Sequence, residues 1–409
     1  MTKLFLGVDV SLRENKAVFM DEEGRSLKSL SFSNDLIGAS KLAETVLFTA
    51  HKLSAHKLVA GLESTSHFSW HLGRFLKEEQ SLKALDPKVY VLNAKAVKRF
   101  RDSYNDLPKN DKLDAWVIAD LLRFGRLPKE MDLDERYFAL QQLTRSRLRL
   151  IDTITKEKNR FLSTLFLKFS SLRADNPFSN PFGTTALAVI EEFLSPEEIA
   201  TMSLEDLVDF LIKKSKNRFE NPEEIAKALQ KAARSSYRLP KSLADPVNAS
   251  LASSISVIKA LESQVKTLDK AIENHLGTIP QPLTSIKGIG PVFAAGIIAE
   301  IGNISRFDNH AALAKYAGLA WNEHQSGEFK ASYTPRIRSG NRFLRYYLVE
   351  AALRVKVHNP EYSRYYDKKY AEVTKSPHKR AIVLTARKLV RLIFALLRKN
   401  QLHIQGKGR

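Results

Sequence analysis

Four acidic residues in the first third of the chain constrain its fold and chemistry most strongly. Asp9 and Glu63 each end an apolar, strand-like run, and Asp111 and Asp114 stand three residues apart at the start of a stretch with helical periodicity. Acids at the ends of neighbouring strands can converge at one edge of a sheet, and two more, one helical turn apart, can approach it from the side. Carboxylates gathered in this way repel one another unless cations neutralise them, and hard oxygen ligands suit Mg²⁺. The sequence therefore predicts a site for two Mg²⁺ ions, which many enzymes use to cleave or join phosphodiesters.

The region around these acids alternates strand and helix patterns. Short apolar runs predict five strands, at 4–8, 17–20, 30–32, 58–63 and 89–92. Runs with helical spacing predict helices at 38–51, at 68–76 and after Asp111. The alternation predicts a mixed sheet flanked by helices. A three-strand opening begins both the ribonuclease-H-like and the actin-like ATPase folds, so the pattern alone leaves both open, although the sequence contains no P-loop motif.

Two stretches of helical periodicity dominate the middle of the chain. The first runs from Tyr137 to about Phe169, and the second places apolar residues three and four apart between Ile258 and Ile272. This spacing is typical of a short coiled-coil seam, and we expect an antiparallel hairpin with residues ~170–247 inserted at its tip. The seam could join protomers or form internal core, and the sequence leaves both alternatives open.

A proline-rich boundary at residues 280–282 precedes a candidate DNA-binding turn. Lys287, Gly288 and Gly290 lie in an Ile-Lys-Gly-Ile-Gly segment that leads into an alanine-rich helical stretch. Two helices joined in this way would form a helix-hairpin-helix element, whose glycines allow backbone amides to approach a DNA phosphate closely.

The charge of the chain is strongly positive and unevenly distributed. The formal net charge is +20, and from Lys330 to the C-terminus 20 Lys and Arg face 4 Asp and Glu, a net +16. With aromatic residues interleaved, this field indicates a polyphosphate partner rather than a solvated basic tail. The chain has no cysteine, which excludes disulfides and thiolate metal sites, and no stretch long and apolar enough to cross a membrane. We therefore expect a cytoplasmic protein.

The ordered motifs of the chain resemble those of one family. Asp9 lies in Gly-Val-Asp-Val-Ser, Glu63 in Leu-Glu-Ser-Thr, and the other two acids in Lys-Asn-Asp-Lys-Leu-Asp-Ala. Further on come Ala-Glu-Ile-Gly-Asn, Tyr-Ala-Gly-Leu, His-Gln-Ser-Gly and Arg-Ser-Gly-Asn-Arg-Phe-Leu-Arg. Over roughly residues 3–130 and 280–400 the chain resembles the DEDD, RuvC-like transposases of insertion-sequence family 110, whose motifs are shared by related Piv-type DNA invertases.

The sequence patterns and the resemblance together predict three domains. Residues 1–132 would form an α/β catalytic domain with the RuvC- or ribonuclease-H-like fold. Residues 133–279 would form the helical coiled-coil middle with its insertion. Residues 280–409 would form a mainly α-helical transposase domain that contains the helix-hairpin-helix element and the catalytic serine.

The resemblance also implies a mechanism and partners. Such a recombinase is guided by a structured non-coding RNA, the bridge RNA, which pairs with target and donor DNA. Its acids hold Mg²⁺, two ions in our interpretation, and a serine from another protomer completes the site. Here that serine corresponds to Ser326, with Gln325 where the familiar version has a second serine; Ser339 ranks second. The protein would be a homo-oligomer, a dimer or a tetramer in the synaptic complex, and the sequence leaves open which of the two is the active form. We expect it in the cytoplasm of a prokaryotic cell, associated with the nucleoid.

Several basic residues are candidates for nucleic-acid contact, beside the turn around Gly288. They are Lys98, Arg99, Arg101, Lys330, Arg336, Arg338, Arg342 and Arg345.

Three other functions remain open. A metal-dependent endonuclease of the Holliday-junction type would use water and need the four acids but not Ser326. A site-specific invertase would act without guide RNA, and a non-catalytic nucleic-acid-binding protein would need neither acids nor serine.

Overall fold

A computed structural model describes residues 2–64, 67–104, 111–131, 134–174, 177–321, 325–326, 329–330 and 339–404, with the backbone alone at 111–112, 325–326 and 329–330. The chain divides into two units, Met1–Asp134 and Glu135–Arg409. None of the helices in these ranges combines the length and the apolarity that crossing a bilayer requires.

The described part of the first unit is built on a five-stranded mixed sheet. Its strands are β1 (Lys3–Asp9), β2 (Glu14–Met20), β3 (Ser26–Ser33), β4 (Lys57–Glu63) and β5 (Lys88–Leu92). They lie in the order β3-β2-β1-β4-β5, with β1 to β3 antiparallel and with β4 parallel to both β1 and β5. The mixed sheet that the sequence predicts is thereby confirmed. The strands extend beyond the apolar runs because ladder hydrogen bonds continue into their polar ends.

Four helices accompany this sheet. They are α1 (Leu36–Leu53), α2 (Phe68–Glu78), α3 (Ala94–Arg101) and α4 (Asp111–Phe124). Asp35 caps α1 by accepting the amide hydrogen of Gly38 at 2.7 Å. The apolar face of α1 packs with the central strands in one core, while α4 packs with the other face in a second core around Val117 and Ile118.

The second unit begins with a long helical hairpin and an inserted helical cluster. The helices are α5 (Glu135–Lys168), α6 (Ser170–Ala174), α7 (Thr184–Glu192), α8 (Pro196–Thr201), α9 (Leu204–Ser215), α10 (Pro222–Ser235) and α11 (Lys241–Leu276). Ion pairs between Arg147 and Asp269 and between Lys158 and Glu262 show that α5 and α11 run antiparallel. The inserted helices share a core with the ends of the hairpin, around Phe161 and other buried residues.

The seam residues predicted on α11 lie against other parts of the same unit. Ile258, Val265 and Ile272 are buried, and Leu261 and Leu268 are partly buried. Self-association through this seam stays a prediction.

The rest of the second unit is mainly helical. Its elements are α12 (Pro291–Ile301), α13 (His310–Tyr316), β6 (Gln325–Ser326), β7 (Phe329–Lys330), α14 (Arg342–His358), α15 (Pro360–Ala371) and α16 (Pro377–Lys399). Tyr347 of α14 lies at the centre: its ring fills the space where Gly296 has no side chain, and its hydroxyl donates to the carbonyl of Thr144 at 2.7 Å. That bond ties α14 to α5.

Candidate active site

The carboxyl ends of β1 and β4 bring two of the predicted acids to one edge of the sheet. The two strands are parallel, with Val8 beside Leu62. Asp9 and Glu63 are the next residue of each strand, so their side chains lie on the same face of the sheet. Both are partly buried. This is the convergence that the sequence predicted for these two residues.

Glycines in the same strands bring α4 onto that face. A Cβ on Gly7 would lie 2.2 Å from the carbonyl oxygen of Ala115 and 2.4 Å from the amide nitrogen of Ala119. Gly7 is two residues before Asp9 and therefore shares its face. Gly61 holds the same position before Glu63, and a Cβ there would lie 2.9 Å from the Leu122 side chain. The missing side chains thus let α4 cross the sheet beside the acids, a role for strand glycines that the sequence reading did not recognise.

Asp114 lies on α4, directly before Ala115, and its negative charge acts on the Glu63 carboxyl. Burial is the main cause that raises the pKa of the Glu63 carboxyl, and the negative charge of Asp114 raises it further, while Arg101 acts in the opposite direction. Arg101 itself donates a hydrogen bond of 2.8 Å from Nη1 to Oδ1 of Asp114. The edge of the sheet therefore holds two carboxylates that repel each other and one guanidinium that partly neutralises them.

Tyr104 and Asp120 connect the end of α3 to α4 in a way that the sequence analysis missed. The Tyr104 hydroxyl donates to Asp120, which also accepts a 2.7 Å hydrogen bond from Nε of Arg123. Burial and this bond raise the pKa of Tyr104 to about 12. Because Arg101 lies three residues before Tyr104, the contact helps to place its guanidinium beside Asp114.

The donor chemistry at this edge fits Mg²⁺. Carboxylate oxygens are the ligands that this ion prefers, and repulsion between Glu63 and Asp114 favours binding of a cation. Asp111 is the first residue of α4, one turn before Asp114, but its side chain lies outside the described residues. Among the side chains that are described, no group of three or more His, Asp or Glu could hold a metal ion. The four-acid metal site stays a prediction.

The predicted nucleophile lies in a short hairpin. Ser326 ends β6 and is in register with Phe329 of β7. The side chains of Ser326 and Lys330 are outside the described set, as are Arg336 and Arg338 altogether. Ser339 is exposed. Its carbonyl oxygen would lie 2.5 Å from a Cβ on Gly318, which has a left-handed φ of 69°. This close approach fixes the last residue of the serine segment, which we define as residues 322–339.

The chain after the serine segment is anchored to a buried ion pair. Asn341 caps α14 by accepting the amide hydrogens of Phe343 and Leu344, both at 3.0 Å. Its Nδ2 donates to Oε2 of Glu300 at 2.7 Å. Glu300 is fully buried, and Arg145 binds both of its oxygens, at 2.7 and 2.8 Å. A buried carboxylate is stable in a core only when it is paired in this way.

Arg342 and Arg345, predicted to contact nucleic acid, have intramolecular contacts as well. The Arg342 guanidinium lies over the ring of Phe343, 4.7 Å from its centroid. Arg345 donates from Nη1 to the carbonyl of Ala317 at 3.3 Å. Arg345 therefore has a structural role beside any role in binding.

The Gly-Ile-Gly turn differs in part from the expected helix-hairpin-helix. Leu283–Ser285 forms a 3-10 turn, shorter than the expected α-helix, and the backbone is already extended at Ile286, with ψ 114°. Gly288 has φ +99°, and a Cβ on it would lie 2.8 Å from the backbone of Arg354 in α14. Around Gly290 there is open space, and Lys287 is exposed. Gly288 thus serves internal packing, and contact with DNA through Gly290 and Lys287 stays a prediction.

Two basic helices expose cations to solvent. On α3, Lys98 and Arg99 are exposed. The α16 sequence contains no acid, and steps of seven, four and seven residues put four arginines on one side, opposite the buried face. Arg380, Arg391 and Arg398 are exposed, and Arg387 is partly buried. Burial and the neighbouring Arg391 lower the pKa of Arg387, whose buried Nη1 has no hydrogen-bond partner among the described atoms. The sequence analysis noted the regional charge but did not single out this face.

Comparisons with known proteins agree with the motifs. A DEDD transposase model of the IS110 type matches residues 6–169, and the model of the IS116/IS110/IS902 transposase family matches residues 281–367. A 44.8-kDa protein of insertion element IS116 from Streptomyces clavuligerus is 26% identical over 98% of this chain and 96% of its own length. A 43.6-kDa protein of insertion element IS110 from Streptomyces coelicolor is 30% identical over 76% of each chain.

One solved structure is similar in part. T. thermophilus RuvC, in complex with a Holliday junction substrate, aligns over its whole length with 32% of this chain, at 15% identity and a TM-score of 0.24.

Proposed function

This chain belongs to the IS110 family of insertion-sequence transposases, and from that premise we propose that it cuts and rejoins DNA through Ser326, with Mg²⁺ held by Asp9, Glu63, Asp111 and Asp114. A transposase acts on DNA and is an enzyme. The serine nucleophile, the metal ions and guidance by a structured RNA are the parts that we propose. The observation that supports the metal site best is that Asp9 and Glu63 end neighbouring parallel strands on the face against which α4, the helix of Asp114, is packed.

The described acids fit this role by position and by charge. Asp9 and Glu63 lie on the face that α4 crosses, and Asp114 acts electrostatically on Glu63. Two bound Mg²⁺ ions would supply charge neutralisation at the phosphate and would help to deprotonate the attacking hydroxyl. Arg101 would then either exchange its carboxylate partner for a DNA phosphate or keep Asp114 in place.

The serine would carry the covalent step. Its Oγ would attack phosphorus and form a phosphoserine ester, while the bond from phosphorus to the leaving sugar oxygen breaks. The proton of the serine would end on that sugar oxygen, which becomes a free hydroxyl. Attack by a hydroxyl on the ester would reverse the step, so that strands are rejoined without ATP.

The basic surfaces would hold nucleic acid during this reaction. Phosphate contacts release counterions, so affinity should fall steeply with salt, with a log–log slope of about −0.7 to −0.9 for each neutralised phosphate. We propose target and donor DNA and a structured guide RNA as partners, and assembly of protomers around them. Protein purified with its RNA should recombine DNA, and protein freed of RNA should not. Efficient recombination without RNA would instead support the invertase-like alternative.

A nicked suicide substrate tests the nucleophile. When the strand fragment beyond the exchange point can diffuse away, a phosphoserine ester is trapped and appears as a denaturant-resistant protein–DNA band. Ser326→Ala should lose this band and recombination while it still binds DNA, because the change removes no charge. Ser339→Ala, the matched control in the same segment, should keep the band. A band that survives Ser326→Ala and vanishes in Ser339→Ala would show that Ser339, not Ser326, is the nucleophile.

The same substrate separates the recombinase from a nuclease. Cleavage without any protein-bound product, in every variant and at every time point, would support the endonuclease that uses water. Alanine in place of any one of the four acids should abolish cleavage in either case. Near-normal cleavage by Asp114→Ala in Mg²⁺ would refute the four-acid site.

A further inference from the structure

A large groove opens in the second unit between α14, the start of α16 and the turn that joins α15 to α16. Its volume is about 1510 Å³. Pockets for small molecules are typically about 300–1,000 Å³, so this groove has room for more than a small molecule. It belongs to neither the acidic edge of the sheet nor the Gly-Ile-Gly turn.

The lining of the groove is predominantly cationic. Its five cationic residues are Arg342, Arg345, Lys375, Lys379 and Arg380. Two acids, Glu350 and Glu372, also line it. Glu372 is already engaged with Arg380 at 2.8 Å and with Lys369 at 2.6 Å. The remaining charge is positive and favours a polyanion.

Two aromatic side chains complete the lining. Trp321 and Tyr346 are partly exposed and both face the groove. Cations that follow a backbone, combined with aromatic rings on which bases stack, are the features of sites for unpaired nucleic acid. In a duplex the faces of the bases are covered by their neighbours in the stack, so the rings would have no surface to meet. A single strand therefore matches the groove better than a double helix.

The position of the groove indicates which strand it would take. Trp321 directly precedes the serine segment, and Arg342 follows it after Gly340 and Asn341. Both ends of the segment that carries Ser326 and Ser339 thus lie beside the groove.

We propose that this groove binds one unpaired DNA strand next to the phosphodiester that Ser326 attacks. The inference rests on the proposed function, because it takes the strand at the serine to be DNA. Trp321 and Tyr346 would stack on its bases, and Lys375 and Lys379 would contact its phosphates. The groove would thereby hold the separated strand in place during exchange.

Fluorescence of Trp321 provides a local test in the full-length protein. The chain has three tryptophans, so Trp70→Phe with Trp116→Phe leaves Trp321 as the sole reporter. A single-stranded DNA of about six nucleotides, within the usual site sizes of such grooves, should quench it. By anisotropy, Trp321→Ala should weaken binding of the same oligonucleotide about tenfold, whereas Trp321→Phe should bind nearly as well because stacking is kept.

Lysine variants test the phosphate contacts. Lys375→Gln with Lys379→Gln should reduce the salt dependence, with a log–log slope smaller by about 1.4 for two lost contacts to a single strand. Lys266→Gln with Lys270→Gln, at exposed positions on α11, is the matched control and should leave the slope unchanged.

The outcomes separate this inference from the proposed function. Absence of quenching, or equal affinity of Trp321→Ala and the parent for the oligonucleotide, would refute binding of a DNA strand in the groove even if the serine adduct still forms. Stronger quenching by an RNA of the same sequence, or by a duplex, would overturn the assignment to a DNA strand. Quenching by the DNA strand in a protein that forms no adduct would keep the groove as a single-strand site and refute the serine mechanism.

Discussion

Arg101 Nη1 lies 2.8 Å from Oδ1 of Asp114, so the acid that raises the pKa of Glu63 is already paired with a cation. A divalent ion that binds Asp114 must compete with this guanidinium. We therefore expect Arg101→Gln to tighten binding of Mg²⁺ or Mn²⁺ by about two- to fivefold, the range for a partly exposed ion pair. Calorimetric titration of the metal into nucleic-acid-free protein measures it.

Lys98→Gln is the control for this prediction. It removes one positive charge from the same helix, at an exposed position with no described contact to the acids. It should leave metal affinity nearly unchanged. Equal tightening in both variants would mean that general charge, not the pairing with Asp114, sets the effect; weaker binding in Arg101→Gln would mean that the arginine positions the carboxylate.

Gly7→Ala should damage the acidic site from a distance. The new Cβ would collide with the backbone of Ala115 and Ala119 at 2.2 and 2.4 Å, so α4 must move away from the sheet. Overpacking of this kind costs about 1–3 kcal/mol. We expect a lower melting temperature and loss of metal-dependent cleavage, because Asp114 moves with α4. Ser29→Ala, on the exposed strand β3, should change neither, and a Gly7→Ala protein with full activity would show that α4 need not lie this close.

The predictable part of this fold follows from local pattern. Asp9 and Glu63 could be located because each ends an apolar run, and strand direction then brings the two ends together. The pairing of Arg101 with Asp114 could not be predicted, since it depends on how two helices meet. The bond between Arg145 and Glu300 joins residues 155 apart in sequence, where periodicity carries no information. Ser326 came from resemblance alone, and its side chain lies outside the described residues.

The two glycines of the Gly-Ile-Gly turn should respond differently to alanine. Gly288 has φ +99° and lies 2.8 Å, measured from an ideal Cβ, from the backbone of Arg354, so Gly288→Ala should lower stability by about 1–3 kcal/mol. Gly290 has ordinary φ and open space around it, so Gly290→Ala should melt like the parent. If its backbone approaches a DNA phosphate, Gly290→Ala should still weaken DNA binding. Equal melting temperatures for the two variants would contradict the packing role of Gly288.

Lys168 makes stability depend on pH in the alkaline range. Burial lowers the pKa of its ammonium from 10.5 to about 8, partly offset by Glu198, and its Nζ donates to the carbonyl of Ile190 at 2.7 Å. Below about pH 8 the folded state holds a buried charge. Between about pH 8 and 10.5 the unfolded chain binds more protons than the folded one, so the free energy of unfolding rises with pH.

Lys168→Met tests this sign. The variant should be more stable than the parent at pH 7, and its advantage should shrink as the pH is raised toward 10. Thermal unfolding at several pH values measures the difference. Lys231→Met, at an exposed position on α10, should show a difference from the parent that does not change with pH. If the stability advantage of Lys168→Met grew with pH, the pKa of Lys168 could not be lowered in the folded protein.

Asn341→Ala should reduce catalysis without touching the nucleophile. Asn341 and Asn309 are matched: each caps a helix by accepting two backbone amide hydrogens. Only Asn341 also donates to the buried Glu300, and it lies two residues after Ser339. Each alanine variant should lose about 1 kcal/mol of stability with its cap. Only Asn341→Ala should slow formation of the serine adduct, because it releases the end of the serine segment from the ion pair between Glu300 and Arg145. Equal adduct rates in the two variants, at a temperature where both are folded, would limit Asn341 to capping.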